Sequence, residues 1–298
     1  MAFLSIKGFR RYYLSRNISL LAIIYFSSAL FSWSGEIIGI LKHTELNDSV
    51  YSVCITDSNH EAFILGQEYD FKVSKGDQSK RYLGLRIKAH PSFFGNEWHL
   101  ERIFPINGSG SKAYYDLNKI FSYRVKSLSR RKFLEEDDYI LSFAGINHKG
   151  EFFQFNDFLG KILVVNFIFT RCRAAEMCPA ATLKMARMQD EARDLGLIDL
   201  HFLSISFDPD NDSPGVLNSY AQSYGIESDT FTFMTAGSEL IEDLMRYFGI
   251  ITMEEDGTIN HTMATLLINQ KGRVHYRKEG SVWQISDFLE RARELVSE

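Results

Sequence analysis

The sequence has no surplus of positive charge: 38 aspartates and glutamates outnumber 33 lysines and arginines, for a net charge of -5. Nucleic acids are recognised through basic patches or stripes, so no nucleic-acid partner is expected. No long block of like charge marks an interaction tail, and there is neither an internal repeat nor a low-complexity segment. Cysteine is scarce, with only Cys54, Cys172 and Cys178 in 298 residues, and no two of them form a Cys-x-x-Cys pair. Acidic residues are missing altogether before Glu36. The rest is ordinary globular composition, 45% hydrophobic and 24% charged, in a chain too long for one typical core, so two domains are expected.

The acid-free opening has its own organisation. Lys7, Arg10, Arg11 and Arg16 precede an apolar run from Ile18 to Trp33, the pattern of an export signal or of a membrane anchor whose N-terminus stays in the cytoplasm. Residues 1–36 are assigned to this segment, anchored in the inner membrane with the remainder facing the periplasm; Ser32-Trp33-Ser34 also offers small residues for cleavage and release. The run is shorter than the ~20 residues of a span, and the stretch Ile37 to Leu41 lengthens it past Glu36. No cysteine lies nearby to carry a lipid.

Residues 45–106 alternate short strand patterns with turns and carry no helix signal, which predicts a small antiparallel β domain, a sandwich or a barrel. His60, His90 and His99 are scattered through it without metal-ligand spacing and read as surface or edge residues. Cys54, in the strand-like Val50 to Ile55, reads as a small buried hydrophobe. Residues 107–137, glycine- and serine-rich at first and densely charged later, read as a linker or an exposed helix. A hairpin then turns at Asn147-His148-Lys149-Gly150, with His148 exposed at its tip.

The chain is organised around Lys161 to Pro179. Ile162 to Phe169 is short, β-branched and aromatic without polar alternation, as in a strand buried on both faces of a mostly parallel sheet. Cys172 follows the end of that strand, and Cys178 stands at the start of a helix with Pro179 in its first turn and Gly196 just past its end. The positive end of the helix dipole, with Arg171 and Arg173, is expected to pull a thiol there below its usual pKa of about 8.5. Strands at 162–169, 200–206 and 231–234 alternate with helices at 179–195, 214–224 and 238–247, followed by strands at 264–269 and 273–277 and a last helix at 284–297. That order predicts a thioredoxin-like α/β domain over residues 138–298.

Strand direction supplies a third candidate. The parallel strands end on the edge that holds the cysteines, and the antiparallel strand 264–269 begins there, so the loop Gly257 to Met263, with His261, is delivered beside them. His201 and His275 fall elsewhere. Two thiolates and an imidazole form a soft, low-coordinate set that suits Cu(I) and, with added ligands, Cu(II). Met177 and Met263 flank these residues and read as apolar packing. Ser213, with Pro214 after it, reads as the cap of the helix at 214–224; Asp208 ends a strand on the same edge and could support the site from behind, whereas Asp212, next to Ser213, reads as part of the helix start.

These residues resemble the Sco/SenC family of thioredoxin-like copper proteins that assist assembly of the copper centre of cytochrome c oxidase. The likeness rests on Phe158-Leu159-Gly160-Lys161, Phe169-Thr170-Arg171-Cys172, Cys178-Pro179, Ser206-Phe207-Asp208-Pro209 with Asp212 and Pro214, and His261-Thr262 before Ala264 to Asn269. It implies that Cys172, Cys178 and His261 bind copper, that the two cysteines also cycle between dithiol and disulfide, and that the partners are a copper-receiving respiratory oxidase subunit or another copper protein and a thiol reductant. The spacing departs from the family's usual three intervening residues: five, Arg173 to Met177, lie between the cysteines here, with Arg173 where a proline is common.

Three functions follow from this reading. One is a copper chaperone; another is a thiol–disulfide oxidoreductase outside the cytoplasm that works without metal; the last is a structural disulfide in an assembly protein. A peroxiredoxin-type peroxidase is disfavoured because Phe169 and Ala175 stand three residues before the cysteines, where that motif has Thr or Ser. A thioredoxin-type reductase lacks its Cys-x-x-Cys pair and its cis-proline, since no proline follows Pro214.

Overall fold

The computed structural model describes residues 35–296, except 46, 48, 79–81, 130–131, 227–229 and 256–257. The signal or anchor expected over residues 1–36 lies almost wholly outside the described residues, and among those described no helix is long and apolar enough to cross a membrane.

Five strands close into a barrel in the order β1-β2-β3-β5-β4: β1 (Ile37–Glu45), β2 (Val50–Ser58), β3 (Glu68–Val73), β4 (Arg86–Phe94) and β5 (Glu97–Pro105). The expectation of a wholly antiparallel domain is corrected at one pair, since β3 and β5 run parallel through Lys72↔His99 and Val73↔Leu100. An odd number of strands in a ring cannot alternate direction at every step, so closure forces one parallel pair, and it leaves no open edge. Ile37 to Leu41, read above as an extension of the apolar run, is instead the start of β1. Its residues alternate inward and outward, with Ile37 and Leu41 in the barrel core beside Tyr51, Phe71 and Ile103. His60 is also corrected: it is buried, its ring 5.0 Å from Phe63 and 5.3 Å from Trp98. Cys54 is only half-buried.

The span read as a linker or an exposed helix carries helix α1 (Ser111–Ser127), whose Tyr114, Phe121 and Val125 belong to the second core. Asn118 fixes it further: its side-chain amide donates to the Ala144 carbonyl at 3.0 Å and accepts from the Ala144 amide at 2.8 Å. A helix whose aromatic stripe meets a neighbouring sheet is not a free connector.

The second unit is a seven-stranded sheet in the order β14-β13-β8-β9-β10-β6-β7. In chain order these are β6 (Ala144–Asn147), β7 (Phe152–Gln154), β8 (Ile162–Ile168), β9 (Leu200–Ser206), β10 (Phe231–Thr235), β13 (Ala264–Ile268) and β14 (Val274–Glu279). β8, β9 and β10 are parallel, and β13 runs antiparallel to β8 through Leu266↔Val165. Every residue of β8 is buried, as its unbroken apolar run requires for a central strand covered on both faces. The connections are α2 (Cys178–Asp194), α3 (Pro214–Ser223) and α4 (Ser238–Phe248), and α5 (Ile285–Val296) ends the chain. Between α4 and β13 a two-stranded ribbon, β11 (Thr252–Glu255) with β12 (Thr258–His261), stands where the sequence suggested a plain loop. His148 is buried, not exposed: the turn folds over β10, and His148 Nδ1 accepts the Phe233 amide at 3.2 Å.

Candidate metal centre

Three separate segments supply the site. Cys172 comes from the loop after β8, Cys178 from the first residue of α2, and His261 from the last residue of β12. The two sulfurs and one imidazole nitrogen all lie within 4.8 Å of one another, and His261 Nε2 is 3.5 Å from Cys178 Sγ. Soft metal–ligand bonds run at roughly 2.0–2.3 Å, so three ligands around one ion stand about 4 Å apart, and the group needs only a small closing movement to hold one. The donor set fits a soft ion: two sulfurs and one nitrogen, with Cys178 fully buried, Cys172 half-buried and His261 half-buried.

The imidazole is set up for that task. His261 Nδ1 lies 2.9 Å from the Thr262 carbonyl, which can only accept, so Nδ1 carries the proton and the Nε2 lone pair faces the sulfurs. Its ring is wedged against Phe207, centroids 4.6 Å apart, and Phe169, 5.7 Å apart. Burial holds its pKa below the ordinary histidine value, against the opposing effect of the Thr262 bond.

Two carboxylates hold the Cys172 loop from behind. Asp212, fully buried, accepts from the Thr170 amide at 3.0 Å, from the Thr170 hydroxyl and from the Ser206 hydroxyl at 2.6 Å. Ser213 caps α3, as expected, its hydroxyl accepting from the Val216 amide, and Asp212 beside it takes no part in the cap. Asp208, also buried, takes Arg171 Nε and Nη2 at 2.9 Å each.

The thiol expectation fails at Cys178. Burial pushes its thiol well above the ordinary value, with the nearby Cys172 and Asp212 adding to the rise, while Arg171 is paired with Asp208. Neither sulfur is joined to the other; both are free thiols. Met263 is buried and Met177 half-buried, whereas His201 and His275, in β9 and β14, take no part in the cluster. Asp208 stands behind the site as expected; its pairing with Arg171 and the place of Phe207 against the imidazole carry no signal in the sequence until the fold brings them together.

The family model described as SCO1/SenC matches residues 132–296, more than half of the chain. The chain belongs to the SCO1/SenC family. A SCO1 protein homolog from Bacillus subtilis is 29% identical over 132 residues, covering 43% of this chain and 67% of that one. An SCO2-like protein from Rickettsia typhi is 28% identical over 157 residues, covering 50% and 74%. The solved structure of a SCO1/SenC family lipoprotein from Bacillus anthracis superposes with a TM-score of 0.50 at 29% identity, over 56% of this chain and 98% of that one. The family match begins at residue 132, after the barrel.

Proposed function

We propose that this protein is a copper-binding Sco-type metallochaperone, with Cys172, Cys178 and His261 as the ligands and copper as its cargo. The observation that carries the reading is the convergence of two sulfurs and one proton-free imidazole nitrogen within 4.8 Å, from three segments distant in sequence. Cu(I) favours such soft, low-coordinate sets, and the half-buried Cys172 leaves the ion reachable from one side. The recipient in this reading is the copper centre of a respiratory oxidase or another copper protein. The same cysteines are close enough to join after a small movement, which supports a companion redox role with a thiol reductant. The basic and apolar leader would hold the protein at the inner membrane, facing the periplasm.

Metal analysis and Cu(I) competition titration on the full chain test the assignment. The wild type should bind about one copper in a thiolate and imidazole environment. Cys172→Ser, Cys178→Ser and His261→Ala should each weaken it severely, since the loss of one of three ligands leaves a two-coordinate ion. Full retention of copper by all three variants would overturn the reading.

A further inference from the structure

The barrel meets the rest of the protein at the segment that supports the metal loop. In the turn after β3, Gly76 approaches the start of α3 so closely that a Cβ there would stand 2.0 Å from the Gly215 carbonyl oxygen, and a Cβ on Gly215 would stand 1.9 Å from Asp77 Oδ1. Neither glycine has positive φ, so it is close approach, of backbone at Gly76 and of the buried Asp77 side chain at Gly215, that leaves no room for a Cβ. Asn218, further along α3, donates to the Gly76 carbonyl at 3.1 Å. Asp77 is buried at this contact, with Oδ2 accepting from the Ser74 hydroxyl at 2.7 Å.

A second contact runs through side chains. Arg102 on β5 holds a φ of 52°, a left-handed value uncommon outside glycine, and its Nη2 donates to Asn211 Oδ1 at 3.3 Å. Asn211 Nδ2 in turn donates to Asp208 Oδ1 at 2.7 Å, and Asp208 Oδ2 takes the guanidinium of Arg171. Arg171 immediately precedes Cys172. Hydrogen bonds therefore run without a gap from the barrel to the residue beside a site sulfur.

We propose that the barrel is a positioning element for the metal loop, and that Arg102 is its positioning residue. By gripping the segment 208–218 at Asn211 and at Gly215, the barrel sets Asp208 and Asp212 where they hold Arg171 and Thr170, and so fixes the approach of Cys172. Five residues separate the cysteines, and a loop of that length gains its order from such outside restraint. The inference rests on the copper reading for its metal arm and on geometry alone for its thiol arm.

The test uses the full chain with Arg102→Ala, Arg102→Lys and Asn211→Ala. Three quantities are read: Cu(I) affinity by chelator competition, the midpoint potential of the Cys172–Cys178 pair in thiol buffers, and the alkylation rate of metal-free Cys172. Arg102→Ala should weaken Cu(I) by about tenfold, the low end for outer-shell changes, raise the alkylation rate and shift the potential. Arg102→Lys, which keeps one donor, should recover part of each effect. The Arg102→Ala/Asn211→Ala double variant should be no weaker than Asn211→Ala alone, because that variant already removes the Arg102 link together with the bond to Asp208. Wild-type values of all three quantities in Arg102→Ala and Asn211→Ala would overturn the inference while leaving the copper reading intact. If the wild type binds no Cu(I), the copper reading falls, and the potential and the alkylation rate still decide whether the barrel positions Cys172.

Discussion

Asp77 shows how a single buried side chain can set a pH dependence. Burial raises its pKa from 3.8 to about 6, with nearby Glu101 adding to the rise and the Ser74 hydrogen bond opposing it. The folded protein thus holds the proton more tightly than the unfolded chain does between those values. Folding stability should therefore fall as pH rises from about 4 to about 6, with the loss complete above that range. The shift corresponds to about 3 kcal/mol. Asp212 is raised to about 6 in the same way, chiefly by burial against its hydrogen bonds from Ser206 and Thr170. Urea unfolding across this range should show Asp77→Asn removing part of the slope; a slope unchanged from wild type would refute the assignment. At the other extreme of exposure, the Lys112–Asp116 pair on α1 sits in water, and Lys112→Ala should leave the unfolding midpoint where it is in the wild type in the same assay.

Among the elements, α1 and the β11–β12 ribbon shape the molecule most beyond the common sheet. Phe121 of α1 is 1% exposed, with its ring 5.8 Å from Phe143 and 5.4 Å from Tyr247. Phe121→Ala should cost about 3–5 kcal/mol in chemical denaturation. Asn118→Ala should cost less, about 1–3 kcal/mol, by leaving the amide and carbonyl of Ala144 without partners. If α1 were a free connector, both variants would be neutral. The ribbon matters for a different reason. It ends at His261, and its pairing of Thr252 with His261 gives the imidazole a strand to stand on where a loop would leave it loose.

At the scale of the whole molecule, two cores share one chain: a barrel core around Tyr51 and Phe71, and a sheet core around Phe167, Phe202 and Phe248. A ligand that binds only the folded state stabilises it by mass action, about 4 kcal/mol at a thousandfold excess over its dissociation constant. Cu(I) should accordingly raise the melting temperature of the reduced wild type and leave that of Cys172→Ser unchanged; equal shifts in both would count against the site. If the Gly76–Gly215 contact joins the cores, calorimetry should also show the barrel and the sheet unfolding in one transition.

Local patterns were enough to read the alternating strands and helices from 162 onward, because apolar runs, helix caps and turn residues act within a few positions of where they stand. Strand direction alone placed His261 beside the cysteines, since an antiparallel strand must begin where its parallel neighbours end. The tertiary structure decided what depends on distant neighbours. It closed the barrel from Ile37, buried His60 and His148, packed α1 on the sheet, turned Arg171 to Asp208 and raised the Cys178 thiol that its helix position suggested would fall. Burial and pairing are properties of what arrives from elsewhere in the chain, and no window of sequence around Cys178 contains Asp208, Asp212 or the ring of Phe207.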